Sequence, residues 1–243
     1  MMNDNVLFRI NSSQFFSPRD VYEAYVKSED LDDYFYENYG VSYHFLFGNT
    51  APDKFITDLL DSAYRNDFLI RYSFFNDVLS RNKGATSFFE FPINDSRADI
   101  VSINGKSVAY EIKTQYDTLD RLAKQVNDYS LAFEYVYVIC DDQSLKNVIK
   151  IIPPHCGIYT YSRKNKLIFK LYKKATKSNV MDSEVMIKMF LQKEKNHYFE
   201  KQQNNEILIH NDTERINYYL KKALKHRFAF KTGEISSKCK SLF

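Results

Sequence analysis

The sequence is short of the residues that mark several protein classes. It has no Trp and only 6 Gly, 5 Pro and 3 Cys among 243 residues. Scarce Gly and Pro, together with 20 Phe and 19 Tyr, exclude a disordered or low-complexity chain, because such chains lack the apolar surface that drives folding. A hydrophobic share of 44% is enough for one sizeable core, or for one core with an appended helical lobe.

Long hydrophobic segments are also missing. No run of 18 apolar residues is present, so a membrane-spanning helix is not expected. The opening segment MMNDNVLFRINSS has no basic stretch followed by an apolar one, so a signal peptide is not expected either. The three cysteines, Cys140, Cys156 and Cys239, are isolated and odd in number, which predicts a reduced, cytoplasmic protein.

Several familiar chemical motifs are absent as well. The sequence contains no Gly-x-Ser-x-Gly, no Walker A and no Gly-x-Gly-x-x-Gly, which disfavours a serine hydrolase, a P-loop ATPase and a Rossmann dehydrogenase. The later histidines have no ligand spacing to cysteines or acids, so a zinc site is not expected.

Charge, in contrast, is abundant and unevenly distributed. Residues 1–144 contain 13 Lys/Arg against 23 Asp/Glu, and residues 145–243 contain 21 against 8. Within 163–177 there is no acid, and the seven cations are Arg163, Lys164, Lys166, Lys170, Lys173, Lys174 and Lys177. Such a cluster attracts polyanions because each phosphate contact releases counterions, whereas the plainer interpretation is a solvated strand-and-loop surface.

Hydrophobic periodicity predicts an α/β protein. Helical spacing occurs at 18–38, 53–81, 119–133, 182–203 and 212–230. Short segments rich in aromatic and β-branched residues predict strands at 87–93, 98–103, 107–114, 135–141, 157–162 and 166–173. The continuous apolar strand 135–141 is typical of a buried parallel strand, and Asp117-Thr118 can cap the helix before it. The middle order of helix, three strands, helix and strand therefore predicts an α/β core with helices on its faces.

This order also predicts a division of the chain. We expect a helical N-terminal extension at 1–53, the α/β core at 54–175, and a basic helical C-terminal region at 176–243 packed on the core. The tail from Gly233 is expected to be loose.

Three charged residues interrupt the apolar hairpin RADIVSINGKSVAYEIK at 97–113. A two-residue Asn104-Gly105 turn would pair Asp99 with Tyr110 and separate it from Glu111, whereas a three-residue loop at 103–105 would pair Asp99 with Ala109. In the second register Asp99, Glu111 and Lys113 share one face, because a one-residue slip turns every side chain over, and a bulge nearer Asp99 would serve equally well. If these charges are functional, the hairpin cannot have the regular two-residue turn.

Two neighbouring carboxylates repel each other unless a cation lies between them. Hard oxygen ligands select Mg²⁺ or Mn²⁺, and such an ion lowers the pKa of a bound water and neutralises charge on a phosphate. A neighbouring lysine can orient that water or stabilise the same charge. The alternative is a solvated cross-strand pair of Glu111 and Lys113, with Asp99 capping a turn.

The pattern of Asp99, then Glu111-Ile112-Lys113 on the next strand, then a helix and a strand, resembles the PD-(D/E)xK nuclease superfamily. Ala98 stands where the strict motif has proline. The helix that follows contains Gln125 and Tyr129, which match the Gln-x-x-x-Tyr motif of RecB-type nuclease domains. The resemblance covers about 45 residues and looks closest to small bacterial and phage members of poorly defined role.

This resemblance implies a restriction-endonuclease-like core and a set of site residues. Asp99, Glu111 and the main-chain carbonyl of Ile112 would bind the metal, Lys113 would assist the nucleophile, and Glu90 on the preceding strand fits an additional ligand. Gln125 and Tyr129 would line the site, in one row with Arg121. Arg97 and Arg121 are candidate phosphate contacts, as are Arg163, Lys164, Lys166, Lys170, Lys173 and Lys174, with Lys221, Lys222, Lys225 and Arg227 of the last helix.

The sequence therefore predicts a Mg²⁺- or Mn²⁺-dependent nuclease acting on DNA, with phage defence or mobile-element biology as the setting that the resemblance suggests. The alternative is a non-catalytic nucleic-acid-binding or adaptor protein that keeps the fold without turnover. RNA is a further substrate class, for which no recognition motif is present. No pattern indicates the oligomeric state, and a homodimer is one option.

Overall fold

The structure is a computed structural model, which describes Val21 and residues 24–27, 30–40, 42–56, 67–114, 117–163 and 167–242. The chain divides into two compact units, Met1–Leu69 with Lys240–Phe243, and Ile70–Cys239. The boundary predicted at 53/54 therefore falls inside the first unit, and the one predicted at 175/176 falls inside the second.

Helices and strands alternate in the middle of the chain, as the periodicity predicts. The strands are β1 Thr86–Ile93, β2 Ser96–Asn104, β3 Lys106–Lys113, β4 Tyr135–Asp141, β5 Gly157–Arg163 and β6 Leu167–Lys173. The helices are α1 Leu31–Tyr39, α2 Tyr43–Phe47, α3 Asp67–Phe74, α4 Leu122–Ala132, α5 Leu145–Ile151, α6 Ser183–Lys188, α7 Gln192–Tyr198, α8 Asn204–His210, α9 Thr213–Arg227 and α10 Ala229–Leu242. A π-helical turn, Phe75–Leu79, directly continues α3.

The first unit has an aromatic core. The helix α1 is capped at its start by Asp30, whose side chain accepts from the Asp32 amide, and at its end by Gly40, which has a left-handed φ of 69°. Phe35, Tyr43 and Phe55 are fully or almost fully buried against one another, with ring centroids 5.1 to 6.1 Å apart. The start of the helix predicted at 18–38 lies largely outside the described residues.

The second unit is built on one mixed sheet of six strands in the order β1-β2-β3-β4-β5-β6. The strands β3, β4 and β5 are parallel, and the pairs β1–β2, β2–β3 and β5–β6 are antiparallel. The prediction that 135–141 is a buried parallel strand is confirmed, since β4 has parallel partners on both sides. The two parallel connections run through α4 and α5, of which the sequence predicted only the first.

Helices cover the two faces of the sheet. On one face, Phe74 of α3 packs edge-on against Tyr159 and Phe169 and tilted against Tyr110, at centroid distances of 5.0 to 5.2 Å. On the other face, α4 buries Leu122, Val126 and Tyr129 against Ala109 and residues of β4. Because successive strand residues alternate between faces, Tyr110 faces α3 whereas Ala109 and Glu111 face α4.

The helix α4 starts later than predicted. Asp117 does not cap it; the carboxylate accepts from the amide and the hydroxyl of Thr114, both at 2.7 Å, and so closes the end of β3. The residue before α4 is Arg121, whose side chain makes no capping bond. A short polar side chain just before a helix can accept hydrogen bonds either from the helix or from the preceding strand, and Asp117 accepts them from the strand end.

The tail is helical, so the prediction of a loose segment from Gly233 is wrong. Two contacts anchor α10: Phe228, just before it, stacks on Phe88 at 3.9 Å, and the Thr232 hydroxyl accepts from the Ser87 amide at 2.8 Å. These contacts offset the cost of about 1 kcal/mol for a glycine inside a helix. The predicted helix at 182–203 is divided into α6 and α7, whereas the predicted helix at 212–230 is α9 running into α10.

The turn between β2 and β3 takes neither predicted register. Gly105, with φ of 70°, alone separates the paired residues Asn104 and Lys106, and the ladder ends at the pair Ile100–Tyr110. One further step along this register sets Asp99 opposite Glu111. The condition stated for a functional site is therefore met, because the hairpin has no regular two-residue turn and both acids lie on corresponding positions.

Candidate active site

The site begins where β2 and β3 separate. Beyond Tyr110, β3 pairs only with β4, and that pairing continues to Lys113 and Cys140. The Asp99 carboxylate occupies the place of the lost strand partner, since its Oδ2 accepts from the Ile112 amide at 2.7 Å. A side chain that satisfies a strand amide in this way holds the two strands at a fixed separation.

Glu111 is held from above by α4. The residue is 2% exposed, and its Oε1 accepts from Gln125 Nε2 at 2.6 Å and from Lys113 Nζ at 2.8 Å. Its Oε2 accepts from the Tyr129 hydroxyl at 2.6 Å, and this hydroxyl also lies 2.8 Å from the Arg97 carbonyl. The structure thus brings Gln125 and Tyr129 onto the strand residue that the spacing predicted, because positions i and i+4 of a helix share a face.

A further charged residue, which sequence reasoning missed, enters from the other face of the sheet. Arg71 of α3 is 12% exposed, its Nη2 lies 3.0 Å from Asp99 Oδ1, and its Nη1 forms an ion pair with Glu90. Its guanidinium lies 5.6 Å from the centre of the Phe89 ring. One signal in the sequence pointed to it, because Arg71 is the single charge in the apolar run FLIRYSFF.

Glu90 marks a distortion of β1. Its φ is 58°, a left-handed value that is unusual for a residue with a side chain and costs free energy. The ladder between β1 and β2 has pairs on either side of Glu90 and Asp99 but not between them. Arg97 is 68% exposed and its Nε forms an ion pair with the second oxygen of Glu90. Glu90 therefore faces two arginines, and Arg97, a candidate phosphate contact, has an acid partner within the chain.

The carboxylates influence one another's ionisation. The pKa of Asp99 is raised from its ordinary value to about 7, first by burial and then by the negative charges of Glu111 and, less strongly, Glu90, against the lowering effects of Arg71 and the Ile112 amide. Burial and the charge of Glu111 also raise the pKa of Tyr129, so its hydroxyl stays protonated and donates. The site therefore holds more negative charge than its buried surroundings favour.

The donor set suits a hard divalent cation. Asp99 and Glu111 offer carboxylate oxygens, and Mg²⁺ commonly takes one or two carboxylates and completes its octahedron with waters. Gln125 Oε1 is buried and has no hydrogen-bond partner among the described residues, so it can accept from such a water. Among those residues, no three His, Cys, Asp or Glu side chains are gathered as a metal-ligating group, and Arg71 and Lys113 form ion pairs with the carboxylates. The Ile112 carbonyl stays a predicted ligand.

The described lysines of the basic stretch 163–177 differ in position and exposure. The strand β6 runs antiparallel to β5, so Leu167 lies at the end of the sheet that carries Lys113, and Lys173 lies at the opposite end of β6, about 20 Å away. Lys173 also donates to the Pro154 carbonyl at 2.6 Å. Lys170 and Lys174 are exposed. Lys164 and Lys166, like the Arg163 side chain, lie outside the described residues. That these residues contact the phosphate backbone stays a prediction.

The four candidate phosphate contacts on α9 fall into two pairs, one bound to acids within the chain and one exposed. Lys221 donates to the Gly105 carbonyl at 2.9 Å and forms an ion pair with Glu134, and Arg227 pairs with Glu194. These two charges are balanced inside the chain, whereas Lys222 and Lys225 are exposed. Arg121 is exposed beside the site end of α4.

Comparison with known proteins assigns the chain to a family. The model of the family described as bacteriophage P4 protein cII matches residues 69–237, which is more than half of the chain. The chain belongs to the bacteriophage P4 protein cII family. The matched residues include all the side chains of the site, from Arg71 to Tyr129.

A relative and a solved structure complete the comparison. Protein cII of Enterobacteria phage P4 is 28% identical over 99 residues, which are 40% of this chain and 38% of the phage protein. A protein of unknown function from Silicibacter pomeroyi superposes with a TM-score of 0.37 and 14% identity, over 56% of this chain and 92% of that protein. At that TM-score the likeness carries no argument. None of the helices in the described ranges combines the length and the apolar character needed to cross a membrane.

Proposed function

We propose that the chain is a metal-dependent nuclease of the PD-(D/E)xK type, with a restriction-endonuclease-like core, that hydrolyses phosphodiester bonds in DNA. The observation that carries the proposal is the meeting of Asp99, Glu111 and Lys113 at the point where β2 and β3 separate. Glu111 is fixed there by Gln125 and Tyr129, so a carboxylate and an ammonium are held in place before any substrate arrives.

Each residue has a role that its contacts support. Asp99 and Glu111 would hold Mg²⁺ or Mn²⁺, which when bound lowers the pKa of a water and neutralises phosphate charge. Lys113, with its Nζ 2.8 Å from Glu111, would orient the attacking water. Gln125 and Tyr129 keep Glu111 in one rotamer and thereby keep Lys113 in reach.

Unpaired polar atoms add support. In the described part of the chain, four buried side-chain polar atoms lack a hydrogen-bond partner, and two of them, Arg71 Nε and Gln125 Oε1, belong to this site. A buried donor and a buried acceptor without partners lose free energy unless a ligand satisfies them. A phosphate oxygen would accept from Arg71, and a bound water would donate to Gln125.

The second candidate is a non-catalytic nucleic-acid-binding protein that keeps this fold. It is favoured by Arg71 and Lys113, which already provide cations for Asp99, Glu90 and Glu111 within the chain. These two cations offset part of the carboxylate charge without a metal. The match to a phage protein family supports a phage or mobile-element setting for either candidate.

A cleavage assay distinguishes the two candidates. The wild type, Lys113→Ala and the control Lys150→Ala, which removes an exposed lysine of α5, are incubated with linear, circular and single-stranded DNA and with RNA, each with Mg²⁺, Mn²⁺ or EDTA. We expect cleavage of DNA by the wild type and the control only in the presence of metal, and none by Lys113→Ala. Absence of cleavage by all three proteins, with salt-dependent DNA binding retained, would replace the nuclease with the binding protein.

A further inference from the structure

The outward face of α9 carries a stripe of cations around a tyrosine. Arg215, Tyr218, Lys222 and Lys225 follow the spacing i, i+3, i+7, i+10, which places them on one side of a helix over about 15 Å. The opposite side of the same helix, with Ile216, Leu220, Ala223 and Leu224, is buried in the core. The stripe therefore faces away from the protein.

Its rings are already arranged beside cations. Tyr218 is 50% exposed, and Lys222 Nζ lies 4.6 Å from the centre of its ring. The Arg215 guanidinium lies 5.9 Å from the centre of the Tyr219 ring, which in turn stacks on Tyr198 at 5.3 Å. A face that offers a ring and a cation side by side can take a planar group and an anion at the same time.

The charge of the stripe is of one sign. It contains no acid, and the acid nearest to its start, Glu214, is paired with Lys177 at 2.6 Å. Two other cations of α9 already have acid partners, since Lys221 forms an ion pair with Glu134 and Arg227 with Glu194. Arg215, Lys222 and Lys225 are therefore the exposed cations of α9 that have no acid partner among the described residues.

We propose that this stripe is a binding surface for single-stranded nucleic acid, with a base stacked on Tyr218 and phosphates on Arg215, Lys222 and Lys225. Every base has a π-face, and aromatic side chains flanked by cations bind single strands without sequence preference. A duplex offers the stripe only its backbone, since its bases are already stacked. A protein partner would require a larger apolar centre, whereas Tyr218 is the one large side chain that the stripe exposes.

The surface is separate from the candidate active site. Lys221 of α9 binds the Gly105 carbonyl, at the turn end of β3, whereas Glu111 and Lys113 lie at the other end of that strand. The inference goes beyond the proposed nuclease activity and does not depend on it, because binding at the stripe requires neither metal nor cleavage.

The test is fluorescence anisotropy with a labelled oligothymidylate of about 20 nucleotides and with a matched duplex, in EDTA at several salt concentrations. The variants are Tyr218→Ala, Tyr218→Phe and Lys222→Ala, with Tyr36→Ala as the control because Tyr36 is an even more exposed tyrosine on the acidic helix α1. Thermal unfolding confirms that each variant folds, as expected for substitutions at exposed positions.

We expect Tyr218→Ala to weaken single-strand binding by about 5- to 150-fold, the loss of one stacked base, and Tyr218→Phe to retain it. We expect Lys222→Ala to reduce the slope of log K against log salt by about 0.7. Tyr36→Ala should bind as the wild type does. Unchanged binding by Tyr218→Ala, or equal affinity of the wild type for the duplex, would overturn the inference.

Discussion

Two buried glutamates, Glu111 and Glu134, lie near opposite ends of β3 and have similar surroundings at first sight. They are 2% and 7% exposed, and each is bound by a lysine, Lys113 for the first and Lys221 for the second. Each also accepts further hydrogen bonds. Burial of a charge with a paired lysine is therefore not what distinguishes a candidate active site from a structural bridge.

The difference lies in the other partners. Glu134 accepts from the amide of Ser107 at 2.8 Å and from its hydroxyl, so one strand residue and one helical lysine satisfy it. Glu111 lies beside Asp99, which shares Arg71 with Glu90, and these carboxylates raise the pKa of Asp99. The ion pair of Glu134 connects α9 to the sheet. Glu111, in contrast, belongs to a cluster of carboxylates whose negative charge a cation would stabilise.

The largest expected effect comes from neutralising each glutamate without changing its size. If the proposed nuclease function holds, we expect Glu111→Gln to lower metal-dependent DNA cleavage by at least about 100-fold, because a proposed ligand to the metal is lost, and Glu134→Gln to leave the rate nearly unchanged. Initial rates at saturating Mg²⁺ check this, with circular dichroism to verify that both variants fold. A comparable loss in both variants would show that the two glutamates do not differ as described.

The second effect is on stability and concerns the structural bridge. Glu134→Ala leaves the Ser107 amide and Lys221 without their acceptor, and we expect the free energy of unfolding to fall by about 2 kcal/mol. Urea unfolding measures it. Lys177→Ala, which breaks the exposed pair with Glu214, is the matched control and should cost much less. A Glu134→Ala protein as stable as the wild type would contradict the bridge.

The third effect is a pH dependence confined to the site. The pKa of Asp99 is raised in the folded state from 3.8 to about 7, so the folded state binds a proton more tightly than the unfolded state does. In EDTA, this residue's contribution to stability should be full below about pH 4 and be lost as the pH rises to about 7. Unfolding free energies of the wild type and Asp99→Asn across that range measure the contribution, which should be absent from the variant. A difference between the two proteins that does not change with pH would argue against the raised pKa.

The smallest effect compares the two arginines that bind Glu90. Arg97 is 68% exposed and Arg71 is 12% exposed. We expect Arg97→Ala to change the free energy of unfolding by less than about 1 kcal/mol, as for most exposed ion pairs, and Arg71→Met to have the larger effect. Urea unfolding at neutral pH ranks them, and the reverse ranking would contradict the burial described here.

Much of the sheet could be predicted because the signals are local. Alternating and continuous apolar segments identified all six strands of the sheet, and helical spacing placed Gln125 and Tyr129 on the face above Glu111. In both cases the residues that interact are close in sequence, or are placed by a regular period. Local patterns of this kind are enough to locate elements and to orient their faces.

The remainder depends on contacts between distant residues. Arg71 reaches Asp99 only because α3 packs on the opposite face of the sheet, a contact across 28 residues that no local pattern shows. The turn at Gly105 accepts several registers, and the packing of both strands selects one. The order of the tail is due to Phe88 and Ser87, about 140 residues earlier in the chain.

The place where Asp99 replaces a strand has one more consequence. The Ile112 amide lies in the middle of the site. Its protection against hydrogen exchange depends on the Asp99 carboxylate, because the backbone pairing with β2 ends before this residue. The hydrogen-exchange rate of this amide therefore reports whether the carboxylate still accepts its hydrogen bond, and the measurement needs no catalytic turnover. A neighbour such as Tyr110, still paired on both sides, provides the internal reference. A single backbone amide can in this way serve as a reporter of whatever the site binds.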